Sequence, residues 1–457
     1  MRRRAVLSAG TPADPAPGRA PRAGVRALAG GVLRLARGSV TSGYVYLVAS
    51  VFVVQGLAYL SQLVVAGLVG PAQFGIVRNV EAVVSLLLLA GCVGMPTLVL
   101  REAAATPAEA RAALLRRVLV VCVVGGALAA ASALLLRGAV VPGAGPYLAW
   151  LAWTVVLSGT SRTLANWFLG LRRTREAALL SVVTAAVSLA AVAGLTGALG
   201  LRGWVAGRFA GEALGAAALL WALRHTLREG GGGGGAAPGY GALVPHGAML
   251  ALGLMARAAV DHGGVLALGV WHAPRDVVGY FGIGTLVVTA LMVFPGALGN
   301  LLVPRFAARA GDPGLRRDFA RTMRLALLAV VPATAAAALL SGPAVSMLFP
   351  GYREAVPLLL VLLLGLPART AQSLSGALLL AFNRNHWALG FNCAMLAASW
   401  LLFLWAVPRH GAVGAAWVMA GVEFLGVALF ATGAVLTLRG AGATTREPAA
   451  AGGGSSS

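Results

Sequence analysis

Arg257 and Asp261 lie four positions apart in an otherwise apolar run, MARAAVDHGGVLALGVW. Four residues make one helical turn, so the two side chains share a face. Either they neutralise each other in packing, or the arginine meets an anion while the carboxylate orients it or answers a coupling ion, Na+ or H+. His262 follows directly but points elsewhere on the helix, toward packing or solvent. Arg369 and Arg162 are two further arginines inside apolar runs, and Glu423 is a carboxylate with no basic partner on its own segment. Glu423 is either protonated or paired across a bundle, and it stands as a candidate for proton coupling. Arg208 with Glu212, and Arg78 with Glu81, have the spacing of structural intrahelical pairs.

These charges are conspicuous because of what surrounds them. Of 457 residues, 59% are hydrophobic and only 11% charged, and the mean hydropathy is +0.84. A water-soluble domain carries about 25% charged residues. The apolar residues come in blocks of the ~20 residues needed to cross a bilayer. The pattern predicts an all-α integral membrane protein of about twelve spans. Six fall near 44–69, 75–100, 117–136, 147–170, 178–200 and 203–222. Six more fall near 247–271, 277–303, 323–341, 355–382, 386–407 and 411–438. The domain reading is a basic cytoplasmic tail over 1–43, a six-helix lobe over 44–222 and a cytoplasmic linker over 223–245. A second six-helix lobe over 246–438 and a tail over 439–457 complete it. The linker carries six consecutive glycines from Gly230 to Gly235, the composition of a flexible connection. The closing GGGSSS is low in complexity.

The net charge of +22 comes from arginine, since the chain has no lysine. Most arginines fall in the tails and in alternate loops, and the intervening loops hold one each: Arg78, Arg137, Arg202, Arg275, Arg353 and Arg409. That alternation puts both termini in the cytoplasm. It is not the clustered basic face of a nucleic-acid binder, and nucleic acid is excluded as a partner. Cys92, Cys122 and Cys393 are too scattered to frame a disulfide or a zinc site, and no metal or cofactor pattern appears. The N-terminus has no apolar stretch of signal-peptide type. No loop is both long and acidic, which argues against a membrane-embedded glycosyltransferase or polymerase; the chain reads as a transporter rather than an enzyme.

The halves repeat. Phe74-Gly75-Ile76 aligns with Phe281-Gly282-Ile283, and Arg162-Thr163 with Arg369-Thr370 at the same offset of 207 positions (369 − 162). Six spans per half give both repeats one orientation, related by an axis along the membrane normal, with a site expected between them near the midplane.

At these junctions the chain resembles the polysaccharide flippases of the multidrug/oligosaccharidyl-lipid/polysaccharide superfamily, from about Tyr44 to Leu438. The resemblance rests on LVGPAQFGI and the GMP break at Gly94–Pro96, on Asp261 in MARAAVDHGGVLALGVW, and on VVGYFGIGTLVV…GALGNLLVPRFAA and FPGYREAVPLLLVLLLGLP. It departs near the end of span 1, where the family often has an arginine and this chain has Val65-Ala66-Gly67-Leu68; no role of that arginine carries over. The resemblance implies a two-lobed carrier with a central cleft that rocks between inward- and outward-open forms. Its cargo would be a polyprenyl-diphosphate-linked oligosaccharide, moved from the cytoplasmic to the outer leaflet of a bacterial plasma membrane alongside polysaccharide-assembly enzymes. Substrate-binding candidates are then Arg257, Asp261, Arg369 and Arg162, with Glu423 and Asp261 for coupling. Arg257, about ten residues into span 7, would sit ~15 Å deep. Arg162 and Arg369 would clamp a diphosphate across the cleft, although Arg162 is also near enough to an interface to snorkel. The rivals are a cation-coupled multidrug exporter and a peptidoglycan-precursor lipid flippase.

Overall fold

The computed structural model describes residues 41–171, 173–224, 238–309, 312 and 314–443. The N-terminal tail up to residue 40, the six-glycine stretch and the end of the chain from residue 444 lie outside the described residues. Of the unit Met1–Val45 only the helical start from Thr41 is described, and the helix bundle belongs to the unit Tyr46–Ser457.

Every regular element among the described residues is helical. Seven of these helices are long and apolar enough to cross a membrane. Two of the seven, Ala49–Ala105 and Asn385–Arg439, run to 57 and 55 residues, or about 80 Å at 1.5 Å per residue, more than twice a bilayer core. Both double back. In α1 (Thr41–Gly91) the reversal is at Gly70, whose φ of 73° belongs to the left-handed side of the map that glycine alone enters freely, with Pro71 opening the next span. The Gln62 amide donates to the Glu81 carboxylate at 2.6 Å, although the two would be ~28 Å apart in a straight helix. In the last helix (Asn385–Ala443) Gly411 does the same at φ 55°, and the rings of Phe391 and Phe430 meet at 5.3 Å.

The remaining elements fill in the expected spans. After α1 come α2 (Met95–Ala105), which completes span 2 beyond a break at Val93-Gly94, and α3 (Ala108–Ser132). Span 4 is α4 (Gly145–Leu151) continued by α5 (Thr154–Gly170); spans 5 and 6 are α6 (Thr174–Leu199) and α7 (Leu201–Ala222). Span 7 is α8 (Tyr240–Asp261) with α9 (Gly263–Val270), and span 8 is α10 (Arg275–Leu291) with α11 (Val293–Ala308). Span 9 is α12 (Leu315–Leu348), and span 10 is α13 (Ala355–Leu364) bent by 41° into α14 (Leu366–Ala381). The last helix, α15, supplies spans 11 and 12.

The repeat is visible in backbone detail. Gly200 between spans 5 and 6 (φ 59°, ψ −136°) and Gly411 between spans 11 and 12 (φ 55°, ψ −135°) make one and the same turn. Phe74 and Phe281 are both fully buried, as are Thr163 and Thr370.

The halves close on each other along spans 2 and 8. A Cβ on Gly75 would strike the Arg275 carbonyl, and one on Gly279 would strike the Pro71 carbonyl. Only hydrogen at both positions lets the backbones approach this closely. Near the same end, the Tyr352 hydroxyl donates to the Ala66 carbonyl at 2.9 Å, and its ring meets Phe74 edge-on. A turn or two deeper, Tyr59 on span 1 donates to the Thr289 carbonyl on span 8 at 3.2 Å. The seam is therefore shut at the end of the bundle that carries the Gly70 and Gly411 turns.

Candidate functional site

Two charged networks lie at depth, one in each half. In the C-terminal half, Arg257 donates to Asp261 at 2.7 Å, to Glu423 at 2.8 Å and to the Gln372 side-chain oxygen at 3.1 Å. Arg369 reaches Asp261 at 2.8 Å and Glu423 at 3.8 Å. The i,i+4 spacing on α8 supplies the first pair. The others depend on the approach of α14 and α15, whose Gly426 leaves room for the Gln372 amide. Two guanidinium groups and two carboxylates thus balance, Glu423 being the most enclosed at 8% side-chain exposure. From Gly411 to Glu423 is twelve residues, or ~18 Å, which is near the midplane.

In the N-terminal half, Glu81 accepts from Gln62, faces Arg78 at 3.6 Å and Arg208 at 4.0 Å, while Arg208 reaches Glu212 at 3.9 Å. The two intrahelical pairs read from spacing are present, and span 1 joins them through Gln62. Arg78 requires a correction. The sequence reading set it in an outer loop, whereas the helix opens at Pro71 and buries Arg78 two turns inside, at 11% side-chain exposure. It donates to Thr285 of span 8 at 3.4 Å.

Of the four substrate-binding candidates, three come together: Arg257, Asp261 and Arg369. Glu423, expected to be protonated or cross-paired, joins them as an ion pair. Arg162 stands apart. It is exposed, with neither ion pair nor hydrogen bond among the described residues, so Arg162 and Arg369 do not form a closed clamp in this conformation. Arg369 instead turns to the carboxylates of its own half. His262 caps α8 behind Asp261. Tyr59, Gln62 and Gln372 escaped sequence reasoning because uncharged polar side chains in apolar runs carry little signal.

Cys92 and Cys122 are buried free thiols, as expected, and Cys122 contacts the Thr163 hydroxyl at 3.2 Å; Cys393 differs in being exposed on the bundle surface. No group of three or more His, Cys, Asp or Glu residues with metal-holding geometry occurs among the described residues.

Two six-span halves closing on a seam with ionised groups at depth make up a fold that solved transporters of the MOP superfamily share. An inward-facing multidrug resistance MATE-family transporter superposes with a TM-score of 0.65 at 13% identity, covering 86% of this chain and 96% of its own. A eukaryotic MATE transporter gives 0.62 at 15%, covering 91% and 99%. A MOP-superfamily transporter from Pyrococcus furiosus, described as having a binding pocket of reverse polarity, gives 0.57 at 12%, covering 91% and 98%. At such identities the likeness is one of fold. The chain belongs to the family of polysaccharide biosynthesis proteins, whose model matches residues 64–357. No curated protein matches the chain.

Proposed function

We propose that the protein is a flippase. It carries a polyprenyl-diphosphate-linked oligosaccharide from the cytoplasmic to the outer leaflet of a bacterial plasma membrane by alternating access, with both termini cytoplasmic. The cargo then passes to polysaccharide-assembly enzymes. The observation that supports this most is the placement of arginines at depth on both sides of the seam, in a chain of the polysaccharide biosynthesis family.

The physical problem is electrostatic. A diphosphate entering hydrocarbon loses its hydration at a cost of tens of kcal/mol unless cations replace it. Guanidinium groups do so in bidentate geometry and remain charged at any accessible pH. Arg257 and Arg369 hold both carboxylates in the described conformation, and a diphosphate competes with those carboxylates for the same donors. Asp261 or Glu423, displaced in this way, is left to take up H+ or Na+, which ties cargo movement to an ion gradient. Arg162 serves as the cation of the other half.

The test is reconstitution. Proteoliposomes carrying a fluorescent polyprenyl-diphosphate oligosaccharide are assayed for leaflet exposure with a membrane-impermeant quencher. Protein-dependent movement that Arg369→Ala abolishes in folded protein supports the reading. Absence of movement, together with ion-driven export of cationic drugs, replaces it with the multidrug exporter.

A further inference from the structure

In the C-terminal half the deep arginines are already neutralised: Arg257 and Arg369 each lie within 2.8 Å of a carboxylate. Arg162, at the repeat position of Arg369, has no such partner among the described residues. The reason is on the neighbouring helix. Carried into spans 1 and 7, the 207-residue offset puts Val54 where Asp261 stands, Ser50 where Arg257 stands, and Ala165 where Gln372 stands. Nor does a neighbouring register supply a carboxylate, since no acidic residue occurs between Tyr44 and Val69. Glu212, which corresponds to Glu423 by the offset of the two glycine turns (411 − 200), turns to Arg208 instead.

What fills that space in the C-terminal half is the ion-paired quartet; in the N-terminal half it is a cavity. Ser50, Val54 and Ala165 line it together, with Gln55, Asn166 and Ser181 supplying amide and hydroxyl groups. Their meeting reproduces the contact of Arg257 with Gln372 and supports the register independently. Arg162 stands one turn from Asn166 on the same face of α5. That face looks inward. Gly159 packs on the Cys92 sulfur, and Asn166 donates to the Pro96 carbonyl at 2.8 Å, both at the break in span 2.

We infer that this cavity is the protein's primary anion site: a phosphate or diphosphate ester docks beside Arg162, in the place its missing carboxylate would occupy, among the polar groups of spans 1, 4 and 5. The inference rests on the flippase reading and sharpens it. The cargo's phosphate meets an arginine that no carboxylate among the described residues neutralises, before any exchange with the Arg257–Asp261–Arg369–Glu423 quartet.

The direct test is to supply the carboxylate. Purified full-length protein in detergent is titrated with a long-chain polyprenyl diphosphate, with the uncharged polyprenyl alcohol, and with free pyrophosphate. Val54→Asp and Arg162→Ala are each expected to weaken polyprenyl-diphosphate binding by about tenfold or more, the scale of one charge-assisted contact. Val54→Asn, which adds the same volume without the charge, is expected to stay within about twofold and so controls for folding. Binding of pyrophosphate with the same sensitivity supports the site as a reader of phosphate alone; binding of only the lipid form supports it as a reader of a lipid headgroup. A wild type that binds while Val54→Asp and Arg162→Ala bind equally tightly overturns this site and leaves the flippase reading standing. A wild type that binds the alcohol as tightly as the diphosphate, or binds neither, overturns both.

Discussion

Arg78 donates to the Thr285 hydroxyl at 3.4 Å, and the two residues are separated by the same 207 positions that separate Arg162 from Arg369. Positions related by a twofold axis can touch only where the axis passes between them. The pseudo-symmetry axis of the two halves therefore runs between spans 2 and 8, through the seam where Gly75 and Gly279 cross. Any rocking of one half against the other has to part or pivot this contact, so under the proposed alternating access residues on either side of it would govern which face of the protein is open.

Gly75→Ala is expected to open the seam. The added methyl meets the Arg275 carbonyl and comes within 3.0 Å of the Gly279 nitrogen, and backbone atoms cannot swing aside as a flexible side chain can. Overpacking of this kind costs about 1–3 kcal/mol, enough to shift a two-state equilibrium by roughly 5- to 150-fold. Spin labels placed at the exposed positions Arg137 and Arg353, near the closed end in each half, should report longer distances in G75A than in wild type. An unchanged distance distribution would show that the seam is not the element that moves.

The quartet makes a prediction about stability. Removing one carboxylate leaves two arginines sharing Asp261, and breaking a buried pair by deleting one partner costs about 3 kcal/mol or more. Glu423→Gln and Arg257→Gln should each lower the unfolding temperature in detergent. The double variant, with one charge of each sign removed, should lose markedly less than the sum of the two. Strict additivity would mean that Arg257 and Glu423 do not act as a pair.

A third expectation concerns pH at the edge of the bundle. Asp312, between α11 and α12, accepts from the Gly314 amide at 2.7 Å and from the Arg309 guanidinium at 2.6 Å. The amide first and the guanidinium second hold its carboxyl below the ordinary aspartate range. A depressed acid contributes stability that is fully present above its unfolded pKa, about 3.9, and is lost as pH falls through the folded value. Hydrogen exchange at the Gly314 amide should therefore be slow and pH-insensitive, beyond the chemistry of exchange itself, above about pH 5. It should lose protection in more acidic buffer, and Asp312→Ala should lose it at every pH. Equal protection in Asp312→Ala would leave the carboxylate no part in ordering this turn.

The membrane architecture is legible in the sequence because hydrocarbon imposes the plainest of constraints, long apolar runs. Arginine asymmetry and the Phe-Gly-Ile and Arg-Thr correspondences then reveal two repeats of one orientation. The site is legible only where chemistry is local. Arg257 and Asp261 declare themselves by i,i+4 spacing, but the partner of Glu423 lies 166 positions away in Arg257, and only the packing of α8 on α15 selects it. Arg78 is misplaced when the span is started at Gly75. The Gly70-Pro71 pair holds the better signal, a glycine for the turn and a proline for the first helical position. By sequence Arg162 is the equal of Arg369, whereas their environments differ through Val54 and Asp261, on helices whose meeting the sequence does not declare.

If Arg162 and Arg369 recognise and carry the charge of a diphosphate-linked sugar, removing that charge from the cargo must stop its movement. The decisive comparison is made in one set of proteoliposomes, between the transbilayer rate of a fluorescent polyprenyl-diphosphate oligosaccharide and that of the matching polyprenyl glycoside without the diphosphate. Protein-dependent movement is expected of the diphosphate form alone, reduced at least about tenfold, the value of one strong ionic contact, by Arg162→Ala and by Arg369→Ala. Equal movement of the uncharged glycoside, or full movement of the diphosphate form by both variants, would contradict recognition of the cargo by its charge.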